Sequence, residues 1–123
     1  MNFGKYSILT NKRYHLQHEP NWWWEFKPIT SYDELQIVQF WNDGVEHTWV
    51  EAMWLELALS FGGTNIPADE SKPVEEGGEP YIKVEDSIET RIKKLKEMPS
   101  SLVRELWDEL GKVIRGWGPR RED

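Results

Sequence analysis

The sequence contains no cysteine, which excludes disulfides, thiolate metal sites and a cysteine nucleophile. That absence fits a reducing compartment. Cations are also in deficit: 15 Lys and Arg stand against 22 Asp and Glu, for a net charge of −7 and a pI near 5.0. Neutralising phosphates needs a basic face, so an ordinary nucleic-acid binder is not expected. No uncharged apolar run is long enough to span a bilayer. Met1-Asn2-Phe3-Gly4-Lys5 leads into no apolar run, so no secretory leader is expected either. No internal repeat is visible. With 30% charged residues and a mean hydropathy of −0.71, the 123 residues read as one soluble domain with a core of modest size. The excess is in tryptophan, with eight. Indoles supply large buried area and are enriched at interface hot spots.

The stretch from Asn42 to Pro67 organises the rest. Asp43 and Glu46 have capping-box spacing, and Gly62-Gly63 reads as the matching stop, because glycine takes a left-handed closing residue at no steric cost. Between them, Trp49, Val50, Ala52, Met53, Trp54 and the apolar residues that follow point almost everywhere at 100° per residue. Glu46, His47, Glu51, Glu56 and Ser60 are the interruptions. A helix apolar nearly all round is buried on several sides, as a central core helix or as a helix partly covered by another protein.

Residues 5–27 read as extended. Tyr6 and Ile8 alternate with polar neighbours, Asn11-Lys12 is a turn signal, and Tyr14, Leu16 and His18 alternate again. Glu19-Pro20-Asn21 is a second turn, and Trp22, Trp24 and Phe26 share one parity. A three-stranded antiparallel meander fits, provided a helix covers its apolar face. Ser31 and Glu34 repeat the capping-box spacing and open a helix with Leu35, Val38 and either Trp41 or Asn42 on one side. Asp43-Gly44 between IVQFW and HTWV is also a hairpin signal; the helix caps on both flanks favour two helices. Residues 68–80 are acidic and rich in Pro and Gly, and read as a mobile loop. A short strand is expected at Tyr81, Ile82 and Val84. Asp86 and Glu89 cap a helix with an Ile88, Ile92, Leu95 stripe, leaving Arg91, Lys93, Lys94 and Lys96 outside it. After Pro99, Ser100 or Ser101 caps a last helix, with Leu102, Leu106, Leu110 and Val113 or Ile114 as its stripe. Gly116 and Gly118-Pro119 stop it, Trp117 sits between flexible joints, and Arg120 to Asp123 should fray. The expected class is therefore α+β: a small N-terminal antiparallel β-meander over 5–27, central helices over 31–63, a loop over 68–80 and C-terminal helices over 86–116, about four helices in all.

Catalytic chemistry finds little support. His15, His18 and Glu19 form the only histidine cluster, but in a strand the two imidazoles point to opposite faces. Glu25-Phe26-Lys27 has the E-x-K spacing of a metal-dependent nuclease without the second carboxylate that would hold the metal. Glu46, Glu51 and Glu56 spiral round their helix. Gly62-Gly63 follows a helix, whereas phosphate cradles open one, and no nucleophile motif is present. No cofactor, metal or catalytic residue is expected. Binding has more to build on. If Trp22-Trp23-Trp24 is a strand, Trp23 points away from the other two and is exposed, covered by the edge of the meander, or covered by another molecule. The candidate partner-binding residues are Trp22, Trp23, Trp24, Trp49, Met53, Trp54 and Trp117.

Three segments resemble the tail-assembly chaperones encoded among the tail genes of long-tailed bacteriophages. Arg13-Tyr14-His15-Leu16 with His18-Glu19-Pro20-Asn21-Trp22 and Phe26-Lys27-Pro28-Ile29-Thr30 is similar to an HEPG-W opening, with Asn21 where a glycine is commoner and an unusual triple Trp. Leu55 to Leu59 running into Gly62-Gly63-Thr64-Asn65-Ile66 is the second. Leu95 to Val103 with Trp117-Gly118-Pro119 is the third. The resemblance implies a mostly helical, non-catalytic protein of the bacterial host cytoplasm. It would keep the tape-measure protein soluble while tail-tube subunits polymerise, with self-association, a frameshifted longer form and a place in the virion left open. The β-rich start departs from that pattern and would also suit a minor structural protein of the virion. The alternatives are an acidic inhibitor of a host defence or nucleic-acid enzyme, and a sugar-binding module using the Trp cluster.

Overall fold

The computed structural model describes residues 10–117. Strands β1 (Lys12–His15) and β2 (Trp23–Phe26) precede helices α1 (Ser31–Trp41) and α2 (Trp49–Leu59). Strand β3 (Phe61–Thr64), a 3-10 turn (Val74–Glu76) and helices α3 (Ile88–Glu97) and α4 (Ser100–Trp117) follow. The class is α+β, with a three-stranded antiparallel sheet in the order β1-β2-β3 and four helices. The expected strand at Tyr6 and Ile8 lies outside the described residues, as do Gly118-Pro119 and the tail from Arg120.

The third strand comes instead from Gly62-Gly63, read from sequence as a helix stop. Helix α2 closes at Ser60, whose N–H donates to the Glu56 carbonyl, and Ser60 O accepts from Lys27 N at 2.7 Å. The chain turns from helix to strand with one residue between. β2 pairs with β3 through Trp24↔Thr64, Glu25↔Gly63 and Phe26↔Phe61, with a bulge that leaves Gly62 unpaired. A Cβ on Gly62 would sit 3.2 Å from Glu25 O and 3.3 Å from Lys27 N. A side chain here would press on both the β2 backbone and the Asn11 amide, so glycine suits the bulge.

Three of the four helix starts are displaced from the expected caps. Thr30, not Ser31, caps α1 and exchanges both capping-box bonds with Asp33. Thr48, not Asp43, caps α2 by accepting from Glu51 N. Ser87, not Asp86, caps α3 by accepting from Thr90 N. Asp86 instead accepts from Lys83 N and Lys94 Nζ, each at 2.9 Å. No strand forms at Tyr81, Ile82 and Val84; an isolated bridge joins Pro67 to Pro80. That bridge closes the acidic loop at its base, and Ala68 N donates to Glu79 O. Buried Asn65 donates to Asn21 O and Glu75 Oε1, both at 2.8 Å, and accepts from Trp23 N at 2.6 Å.

The core joins Trp24 and Phe26 of β2 to Met53, Leu57 and Ala58 of α2, with Phe61, Ile82, Leu95, Leu106 and Leu110. Trp24 meets Phe61 edge-on, centroids 4.9 Å apart, a favoured aromatic geometry. Helix α2 is the core helix. Val103 joins Leu106 and Leu110 on the buried stripe of α4, with Leu102 and Val113 half-buried beside it. Arg91, expected outside the α3 stripe, is buried at 7% exposure. No helix among the described residues is long and apolar enough to cross a membrane.

Candidate functional site

Helix α1 turns the expected packing round. Leu35, Val38 and Trp41, the side read as its apolar face, are exposed, and so is Tyr32. The covered positions are Asp33, which is buried, and Gln36, Ile37 and Phe40, which are half-buried. The helix is apolar on both sides and can cover only one of them against this small fold. Asp33 is held inward by its capping box, its Oδ2 accepting from Thr30 N at 3.0 Å.

The exposed row continues past the helix. Of eight large exposed apolar residues among those described, six lie between 32 and 49: Tyr32, Leu35, Val38, Trp41, Val45 and Trp49, with Val38 at 54% and Trp49 at 56% exposure. Scattered exposed apolar residues are ordinary; their concentration within one segment makes residues 32–49 the candidate surface.

A histidine holds the corner between α1 and α2. His47 stacks on Phe40, centroids 3.8 Å apart and planes 20° apart. Its Nε2 lies 2.9 Å from Asp43 Oδ2 and its Nδ1 2.8 Å from Glu51 Oε2. An imidazole with a carboxylate on each nitrogen donates to both only as the imidazolium. The hydrogen bonds from Asp43 and Glu51 raise the His47 pKa, and His47 lowers both carboxylate values in return. Asp43 Oδ1 also accepts from Val45 N at 2.9 Å. The Asp43 side chain is thereby committed to the corner, in the loop ahead of the Thr48 cap of α2.

Of the residues singled out from sequence, Trp49, Met53 and Trp54 come together. They line a cleft of about 130 Å³ between α2 and the α3–α4 joint, with Lys96, Met98 and Arg104. Lys96 Nζ lies 5.2 Å from the Trp54 ring and the Arg104 guanidinium 5.8 Å from that of Trp49, both within cation–π range. Met53 forms the buried floor, while Trp49 is the exposed rim. The sheet tryptophans do not join them. Trp24 is 1% exposed and belongs to the core. Trp23 points to the opposite face, as strand parity requires, and the Arg13 guanidinium lies 3.7 Å from its ring centroid. Trp22 lines a separate cleft of about 620 Å³ with Tyr14, His18 and Glu105. Trp117 is the last residue of α4, and its side chain lies outside the described residues. Its neighbour Gly116 is helical, so Trp117 continues α4 without a joint on that side.

Tyr14 Oη donates to Glu105 Oε2 at 2.6 Å, and the same oxygen accepts from Gln17 N at 2.9 Å. Burial and the Glu105 charge push the Tyr14 pKa up. Glu25, the acid of the E-x-K triplet, accepts from Asn11 Nδ2 at 3.1 Å and Arg13 Nε at 3.3 Å. His15 Nδ1 lies 3.0 Å from the Pro20 carbonyl. Among the described residues, no three His, Asp or Glu side chains converge to hold a metal ion.

Sequence reading named Trp49 but not Tyr32, Leu35, Val38, Trp41 or Val45 as a surface. The signal was present in α1, whose apolar residues occupy both sides of an 11-residue helix. A scan of protein families finds no model that matches the chain, and neither a curated protein nor a solved structure matches it.

Proposed function

We propose that the protein is a non-catalytic assembly factor that binds a phage tail protein, the tape-measure or tail-tube protein, through the apolar surface of residues 32–49. It acts in the cytoplasm of the bacterial host while the virion is built. The observation that carries the binding role is the concentration of exposed apolar residues in that segment. The tail-assembly setting rests on the three resembling segments. An acidic chain keeps such a surface in solution, because net charge opposes aggregation. An acidic inhibitor that imitates phosphate would have carboxylates where this surface has Leu35, Val38 and Trp41.

Affinity capture of the tagged protein from phage-infected cells, at low and high salt, tests the reading. Retention of a tail protein at both salts is expected, since apolar contacts are spared or strengthened by salt. Retention of a nuclease or defence complex that washes away in salt would replace the reading with the inhibitor.

A further inference from the structure

We propose that the apolar row of α1 docks a basic amphipathic helix of the partner, laid along α1 with its apolar side on Leu35, Val38 and Trp41 and its Lys or Arg side chains towards Glu34 and Glu46. The inference rests on residues 32–49 being a partner surface and adds the chemistry of what lies there.

Shape comes first. Leu35, Val38 and Trp41 follow one another at three-residue spacing, a ridge that rises about 9 Å while winding across the helix, with Tyr32 turned to the flank opposite Trp41. Such rows are ridges into whose flanking grooves another helix packs. A helix has no free backbone edge along its length, so an extended peptide gains no ladder here.

Charge decides what kind of helix. No Lys or Arg lies between Lys27 and Lys72. Asp43 is engaged by His47, but Glu34 and Glu46 are exposed, and neither has an ion-pair partner among the described residues. Helix α1 also has acidic residues in its first turn and no basic residue in its last. A partner with neutral or acidic flanks would desolvate these groups without return, whereas basic flanks complement them. A second copy of this chain is a poor occupant. Its basic helix, α3, already buries its apolar stripe around Leu95 and could offer Lys93 and Lys96 without an apolar side.

The test uses two synthetic 18-residue helical peptides with the same leucine face, one flanked by Lys and one by Glu, titrated calorimetrically into the full chain. The Lys peptide is expected to bind at least about tenfold tighter, from several surface charge pairs acting together. Glu34→Lys with Glu46→Lys should remove that preference. Val38→Asp, and separately Leu35→Gln, should weaken Lys-peptide binding about tenfold while circular dichroism stays unchanged. Equal affinity for both peptides would overturn the charge selection. Binding that survives both Val38→Asp and Leu35→Gln would place the peptide elsewhere. Binding of neither peptide would overturn the helix as occupant, while tail-protein capture lost in Val38→Asp would keep the surface itself. Concentration-dependent dimers abolished by Val38→Asp would make the occupant a second copy and overturn the proposal.

Discussion

Arg91 reaches from α3 into the core and donates from Nη1 to the Ala58 carbonyl at 2.8 Å. Ala58 stands in the last turn of α2, where carbonyls run out of helical partners, and α2 has no basic residue of its own there. The other arm, Nη2, donates to Val84 O at 2.6 Å, and the guanidinium lies 5.2 Å from the Phe61 ring centroid. One buried cation thus ties the end of α2, the start of β3 and the segment before α3.

Arg91→Ala should lower stability by roughly 2–4 kcal/mol, the cost of losing hydrogen bonds from a charged donor and leaving a carbonyl unpaired. Arg91→Lys should recover part of it, because a single ammonium cannot span both carbonyls. Urea midpoints of the three proteins order the two effects. Equal midpoints would show that α2 does not depend on the clamp.

Glu105 links the sheet to α4 by accepting from both Tyr14 Oη and Gln17 N. Glu105→Ala should cost about 1–3 kcal/mol and Tyr14→Phe about 1 kcal/mol, with the pair less than additive in a double-mutant cycle. Strict additivity would mean that the short contact contributes no coupling.

The corner at His47 should be pH-sensitive. A raised histidine value means its contribution is fully present below the ordinary value, about 6.5, and is lost as pH rises through the raised one. The lowered Asp43 and Glu51 values mean their share is present above the ordinary carboxylate range and is lost as pH falls through the lowered ones. The bracket is therefore intact from roughly pH 4.5 to 6.5. An NMR titration of the His47 ring should give a midpoint above the ordinary value, returning towards it in Asp43→Asn with Glu51→Gln. A midpoint at or below the ordinary value in the unaltered chain would remove the imidazolium from the account.

Periodicity located much of the fold. Strand parity sets Trp23 opposite Trp24 and Phe26, although Trp24, a candidate partner residue from sequence, belongs to the core; the all-round apolar pattern of α2 leaves a core helix and a partner-covered helix both open, and the structure gives the core helix. The caps were less legible because neighbouring residues compete for one role. Thr30 and Ser31 are both competent, as are Asp86 and Ser87, and of the rivals Asp86 is taken up by Lys83 N and Lys94 Nζ. Two features lay beyond local pattern. Gly62-Gly63 pairs with β2 through Gly63 and Glu25, a partner 38 residues earlier in the chain (63 − 25), which no local glycine pattern reveals. Arg91 is buried against a carbonyl 33 residues earlier in the chain, a contact that local pattern cannot show. The candidate surface is half legible: Trp49 stands among the candidate partner-binding residues, while the sequence groups Leu35 and Val38 on one side of α1 without saying whether that side faces in or out. Which apolar side of a short helix turns inward depends on what the rest of the chain places beside it.

On the proposed reading, residues 32–49 present their apolar side chains to a partner and not to their own core. The most direct measurement is the urea midpoint of Tyr32→Gln with Leu35→Gln and Val38→Gln, set beside Leu106→Ala. Glutamine keeps helix propensity, and three surface substitutions should together change stability by no more than about 1.5 kcal/mol. The wholly buried Leu106 should cost about 2–5 kcal/mol when cut to alanine. A small loss in the triple variant beside a large one in Leu106→Ala is the predicted result. A triple variant that loses more than the Leu106 variant would make Tyr32, Leu35 and Val38 part of the protein's own core and contradict the account.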